Sequence, residues 1–341
     1  MFPLTPYPLT PIGNFIGFVL SVVPLASHLG SHSCRTGIWM YAFWVGSQNF
    51  TNFVDSIIWR NNVNIVAPVW CDIVTKLQLG TAVGVPGCTL VFCRHLYNIT
   101  RIRAVLPVDE KSERRRAIMI DLMITLGVPL ASMALCTLTQ PYRFELVEEI
   151  GCQSAEFSYI TFGMIFVLSF VATILAPFPI HFFIRHRAEV NENLATHPEV
   201  IPNRYHRVMA IACLTLILDL PVCVLVVTTR LLAGGESDLN NPYRSWSFVR
   251  DGSFSQIFQT TAKEWGSDKW LVFTVKWNEW SYVMHAIVFF IIFGTTLEAR
   301  TRYWNVYSYV TSLFRPGKDG HVLGTSDIVF SSRFSHRQPI R

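Results

Sequence analysis

VWCDIVTKLQLGTAVGVPGCTLVFCRHL, residues 69–96, decides the fold class. Its charges lie near the ends, Asp72 and Lys76 at one and Arg94 at the other, with 17 uncharged residues between Lys76 and Arg94. A helix rises about 1.5 Å per residue, so about 20 apolar residues cross a hydrocarbon layer roughly 30 Å thick. This stretch is long enough to span a bilayer.

The rest of the chain agrees with that reading. Only 15% of the 341 residues are charged, where soluble globular chains carry about 25%, and mean hydropathy is +0.34. A soluble chain of this length has a large surface to cover with charge. The aromatic content, with 25 Phe and 10 Trp, excludes a disordered polypeptide. Six further stretches have spanning length: residues 12–29, 37–54, 117–139, 157–184, 208–232 and 276–297. The expected fold is an all-α membrane protein, a seven-helix bundle over residues 12–297. The leader, residues 1–11, has four prolines and no basic region, so the first span is expected to be retained rather than cleaved.

Lys and Arg set the orientation. With the N-terminus outside, the inner side holds 19 of them, in tight clusters, and the outer side 8. The N-terminus is therefore expected outside and the C-terminus in the cytoplasm. Of eight Cys, Cys71 and Cys152 alone then fall on the oxidising side, which points to a disulfide over the bundle mouth. Trp59, Trp70, Trp270, Trp277 and Trp280 gather at the outer boundary, as interfacial anchors do.

Charges at membrane depth need partners or a wet cavity. Asp72 and Lys76 are four apart on one helical face and in position to pair, with Asp55 and Glu279 at similar depth. This outer polar cluster reads equally as a ligand site or as an interhelical lock. Asp219 and Pro221 lie mid-span in residues 208–232, where proline kinks a helix. Gly13-x-x-x-Gly17 and Gly80-x-x-x-Gly84 permit close helix contact, more readily within the chain than in a dimer. On the inner side, Arg94, Arg101, Arg103, Arg185, Arg204 and Arg207 form a basic surface for anionic lipid head groups and an acidic partner. Tyr303, Val306, Tyr307, Val310 and Phe314 recur at helical spacing, so residues 298–315 are expected to form an amphipathic juxtamembrane helix. The tail, residues 316–341, reads as disordered. No nucleotide-binding loop, metal-site motif or Ser/His/Asp arrangement is present, so neither an enzyme nor a metal or other cofactor is expected.

Specific runs resemble a known family. Trp70-Cys-Asp-Ile-Val-Thr-Lys76-Leu, Gly80, Gly84-Val-Pro86 and Arg94-His-Leu-Tyr-Asn-Ile resemble the third helix of fungal lipopeptide mating-pheromone receptors. Pro141-Tyr-Arg-Phe, Gly151-Cys152, Arg204-Tyr-His-Arg207 and Asp219-Leu-Pro221 are similar in the same order, over about residues 8–314. The resemblance implies a plasma-membrane G-protein-coupled receptor of the a-factor-receptor class. Its partners would be a farnesylated, carboxymethylated peptide pheromone and a heterotrimeric G protein feeding a mating kinase cascade. The expected ligand residues are Asp72, Lys76, Glu279, His285 and Tyr159, with Asp219 and Pro221 as a switch and the inner arginines meeting the Gα C-terminus. Dimerisation stays open. The competing class is a transporter or channel with Asp72, Lys76, Asp219 and Glu279 along a charged path.

Overall fold

The computed structural model describes residues 5–27, 35–101, 110–140, 142–154, 256–267, 269–296 and 299–301, and isolated positions elsewhere. The stretches 157–184 and 208–232 lie almost wholly outside them. The described residues are mainly helical: α1 Leu9–Ser27, α2 Arg35–Ile58, α3 Pro68–Arg101, α4 Glu110–Leu122, α5 Val128–Thr139, α6 Ala262–Trp265 and α7 Lys269–Phe289. Helices thus occupy five of the seven expected stretches. Among the described residues, Pro68–His95 and Ser112–Thr137 are long and apolar enough to cross a membrane. Helix α2 has the length, but Gln48, Asn49, Thr51 and Asp55 dilute its apolar character, and all four are buried against neighbours.

A π-helical turn, Met123–Gly127, joins α4 to α5. The cause is one turn along, at Pro129. Proline has no N–H to give the carbonyl four residues back, and its ring crowds that carbonyl. That acceptor is Thr125 O, and the Trp44 indole Nε1 of α2 donates to it at 2.9 Å. The wider turn makes room for a donor from a neighbouring helix. A second π turn, Phe290–Gly294, follows α7.

The main core lies between α2, α3 and α7, with Tyr41, Trp44, Val45, Val85, Phe92, Phe289 and Phe293 buried together. Both small-residue motifs serve packing within the chain. A methyl group on Gly84 would fall 2.6 Å from Trp44 Cε2, and one on Gly13 would fall 2.8 Å from Trp280 Cζ3. The same logic places the Asn49 side chain against Gly17. Side-chain amides of α1 and α2 then fasten α7. Asn49 Nδ2 donates to Tyr282 O (2.9 Å), Asn52 Nδ2 to Asn278 O (3.3 Å) and Asn14 Nδ2 to Glu279 O (3.5 Å).

A small sheet departs from the all-helical expectation. Strands β1 Phe144–Val147 and β2 Gly151–Gln153 form an antiparallel hairpin, and β3 Ile257–Thr260 pairs parallel to β1. Phe144 and Leu146 alternate inward, packed with Val74, Trp59, Cys71 and Cys152. The tight turn uses left-handed backbone at Glu149 (φ 78°) and Gly151 (φ 75°). At Gly151 a side chain would also strike Asp55, 2.6 Å from its Cβ. A disulfide joins Cys71 to Cys152, with Cα atoms 5.3 Å apart, and so ties the hairpin to α3. Trp59 is not an interfacial anchor: it is fully buried in this cluster, and its Nε1 donates to Asn64 O (2.9 Å).

The chain divides into two compact units, Met1–Arg300 and Thr301–Arg341. In the second, the described positions 301, 303–305, 308 and 311 are all helical.

Candidate functional site

The expected outer cluster separates into two. In the first, Asp72 is held not by Lys76 but by Arg143, whose Nε and Nη2 donate to its two oxygens at 2.9 and 2.6 Å. Lys76 donates instead to Gln140 Oε1 (2.7 Å), and Gln140 Nε2 donates to Arg143 O. Fork-to-carboxylate geometry favours Arg over Lys, and the preceding turn carries Arg143 over the α3 face. Both partners are part-exposed, the Arg143 side chain by 36% and that of Asp72 by 40%. Exposed pairs contribute little, so Arg143→Ala is expected to change thermal stability by less than about 1 kcal/mol. If the pair contacts ligand, the same variant shifts the ligand dose-response at unchanged stability.

The second cluster surrounds Glu279 on α7, which is 4% exposed. Lys276 Nζ donates to its Oε2 at 2.9 Å and to Thr5 Oγ1 at 2.6 Å. Thr5 Oγ1 donates to Glu279 Oε2 (3.1 Å), and Thr10 Oγ1 to Oε1. Residues before α1 therefore lie across the buried carboxylate, and Arg60 stacks its guanidinium 3.6 Å from the Tyr7 ring centre. Beside Glu279 lies a cavity of about 10 Å³, room for a single water, lined by Thr10, Asn14, Asn52, Ser56, Glu149 and Asn278 among others. The Asn14 Oδ1 atom is buried with no hydrogen-bond partner. Burial pushes the Glu149 carboxyl above its ordinary pKa; Lys276, 3.9 Å away, opposes the rise, and Glu279 and Glu148 add to it. Asn278 Nδ2 donates to Gln153 Oε1 (2.8 Å), so β2 closes the cavity side of α7.

Asp55 joins neither cluster. It is buried, accepting from Trp70 Nε1 (2.6 Å) and from the Cys152 backbone N–H (3.3 Å). His285 is buried too, and its Nδ1 meets Tyr41 Oη at 2.8 Å. Sequence reasoning named Glu279 but missed Thr5, Thr10, Asn14 and Lys276 as its neighbours. Three of these precede or begin α1, more than 260 residues away, where no spacing rule reaches.

At the other end of α3, Arg94 Nη1 and His95 Nε2 contact Asp121 of α4 at 2.6 and 2.9 Å. Arg101 is the last residue of α3. Arg103, Tyr159, Arg185, Arg204, Arg207, Asp219 and Pro221 lie outside the described residues.

The model of one family, described as STE3, pheromone A receptor, matches residues 9–313. The chain belongs to the pheromone A receptor family. Among curated relatives, the pheromone B alpha 3 receptor of Schizophyllum commune is 31% identical over 307 residues, covering 87% of this chain and 47% of that one. Pheromone receptor 1 of Mycosarcoma maydis is 28% identical over 302 residues, 86% of this chain and 82% of that one. The pheromone a factor receptor of Saccharomyces cerevisiae is 26% identical over 298 residues, 84% and 59% of the respective chains. The chain spans about half the length of its Schizophyllum relatives. This is a family of receptors rather than of enzymes. The helix-three run that carried the resemblance now has a structural content: Cys71 is bridged, Asp72 is held by Arg143, Lys76 bonds to Gln140, and Gly84 receives Trp44.

Proposed function

We propose that this protein is a plasma-membrane G-protein-coupled receptor for a farnesylated peptide mating pheromone. It has seven spans, its N-terminus outside and its C-terminus, with an amphipathic helix over residues 298–315, inside. The family match over residues 9–313 supports the receptor reading. The observation that carries the site is the buried, polar Glu279 cavity, roofed by the segment before α1 and walled by the disulfide-tethered hairpin. Pheromone engages this outer end, with Asp72, Lys76 and Tyr159 around it and His285 beneath. Binding favours a state in which the segment around Asp219 and Pro221 shifts, by as much as the ligand's affinity differs between the two states. The inner arginines then receive the Gα C-terminus.

The test is guanine-nucleotide exchange on a fungal Gα, with the receptor in membranes and matched farnesylated and unfarnesylated peptides. Stimulation restricted to a farnesylated peptide is the expected result. No stimulation by peptides from any compatible mating type, with folded receptor at the surface, would overturn the proposal and make solute flux the next assay. Glu279→Gln keeps the side-chain shape and removes the charge. Hydrogen bonds to a charged group contribute about 1.5–3 kcal/mol, so this variant should need about tenfold more pheromone at equal surface level. An unshifted dose-response would remove Glu279 from the site.

A further inference from the structure

The inner ends of α3 and α4 carry a three-residue clasp. Asp121 has both carboxylate oxygens occupied, Oδ1 by Arg94 Nη1 and Oδ2 by His95 Nε2. Adjacent residues on a helix point about 100° apart, so one carboxylate serves both only by sitting between them. The acid is enclosed, with its side chain 3% exposed, while those of Arg94 and His95 are 25% and 22% exposed. Arg94 and His95 are thus open to a second acidic group from the inner side while Asp121 holds them from within.

The clasp stands on the π turn. Asp121 lies two residues before Met123–Gly127, its backbone carbonyl accepts from Thr125 Oγ1 (2.7 Å), and Thr125 O accepts from Trp44. A π turn holds one residue more than the α-helix around it. Moving that extra residue past Asp121 would rotate the carboxylate by about 100° off the α3 face. A one-residue shift in this turn would therefore be enough to draw Asp121 away from Arg94 and His95.

We infer that Asp121 is the resting counter-ion of an Arg94–His95 carboxylate-binding pair, and that its release frees this pair for an acidic group of the G protein. The inference rests on the G-protein reading above. Asp121 is on this account a positioning residue, acting through Arg94.

The experiment compares Asp121→Asn, His95→Gln and Arg94→Gln/Asp121→Asn with the wild type, all in membranes without ligand. Two readouts are taken: nucleotide exchange on the Gα per folded receptor, and amide hydrogen exchange over residues 118–128. Asp121→Asn is expected to raise ligand-free nucleotide exchange about fivefold, the low end of ordinary coupling energies. It should also lose amide protection at the π turn. His95→Gln, at a part-exposed position, should do the same more weakly. The double variant should fall to the wild-type rate or below, because the docking cation is gone. Unchanged nucleotide exchange per folded receptor in both single variants would overturn the inference, leaving Asp121 a structural tie. A wild type inert toward Gα even with farnesylated peptides would instead defeat the G-protein reading. The inference falls with that reading, and lost amide protection in Asp121→Asn would then mark a structural tie.

Discussion

Cys152→Ser is expected to lower stability by about 2–5 kcal/mol, the ordinary cost of losing a native disulfide. The bridge closes a separation of 81 residues, so its loss frees a long loop in the unfolded chain. The folded state suffers as well. Both half-cystines are buried among Trp59, Val74, Phe144 and Leu146, where a serine hydroxyl would lie in apolar surroundings. The Cys152 backbone is also a junction: its N–H donates to Asp55 and its carbonyl accepts from Gln78 Nε2 (2.7 Å). Loosening the hairpin therefore exposes the Asp55 carboxylate and withdraws Gln153 from Asn278, at the wall of the Glu279 cavity. Thermal unfolding of purified receptor measures the effect. Because one bond is shared, Cys71→Ser, Cys152→Ser and the double variant should lose similar amounts. Additive losses would mean that the two thiols act separately, and no loss would mean that the bridge contributes nothing to the fold.

Helices were legible where the physics is local. Residues 12–29, 37–54, 69–96, 117–139 and 276–297 announce themselves because hydrocarbon thickness demands length and apolarity from one continuous segment. The helical elements found there begin one to seven residues before each expected start. Pairings were less legible because they join distant segments. Asp72 invites Lys76 at helical spacing, yet Arg143, 71 residues on, takes it. Nothing in the alternation of Phe144 and Leu146 separates a strand from a loop until the bridge to α3 gives that face something to pack on. The π turn had a signal in Pro129, which costs Thr125 O its donor. Finding the replacement required knowing that Trp44 of another helix lies opposite. Asp121 is an acid near the start of the 117–139 stretch, but nothing local in the sequence names its two partners on α3.

Trp44→Ala is expected to cost about 3–5 kcal/mol, the range for removing a large aromatic side chain from a core. Trp44 is 1% exposed, fills the notch over Gly80 and Gly84, and supplies the N–H that Pro129 cannot give to Thr125 O. These contributions separate by substitution. Trp44→Phe keeps most of the ring volume and loses the donor. The orphaned carbonyl then costs about 1–3 kcal/mol, and amide exchange should rise over the π turn rather than throughout the core. Gly84→Leu keeps the donor but drives its side chain into the indole, since even a Cβ would lie 2.6 Å from Cε2 and 2.7 Å from Cδ1. Overpacking of this kind costs about 1–3 kcal/mol. Combined with Trp44→Ala, the same leucine grows into the space the indole has left, so the double variant should be more stable than Trp44→Ala alone. Coupling between touching residues runs to about 0.5–3 kcal/mol, large enough to read from midpoints of thermal unfolding. Strict additivity of the two changes would show that Trp44 and Gly84 do not share one packing site, and that the close α2–α3 approach is held by something else.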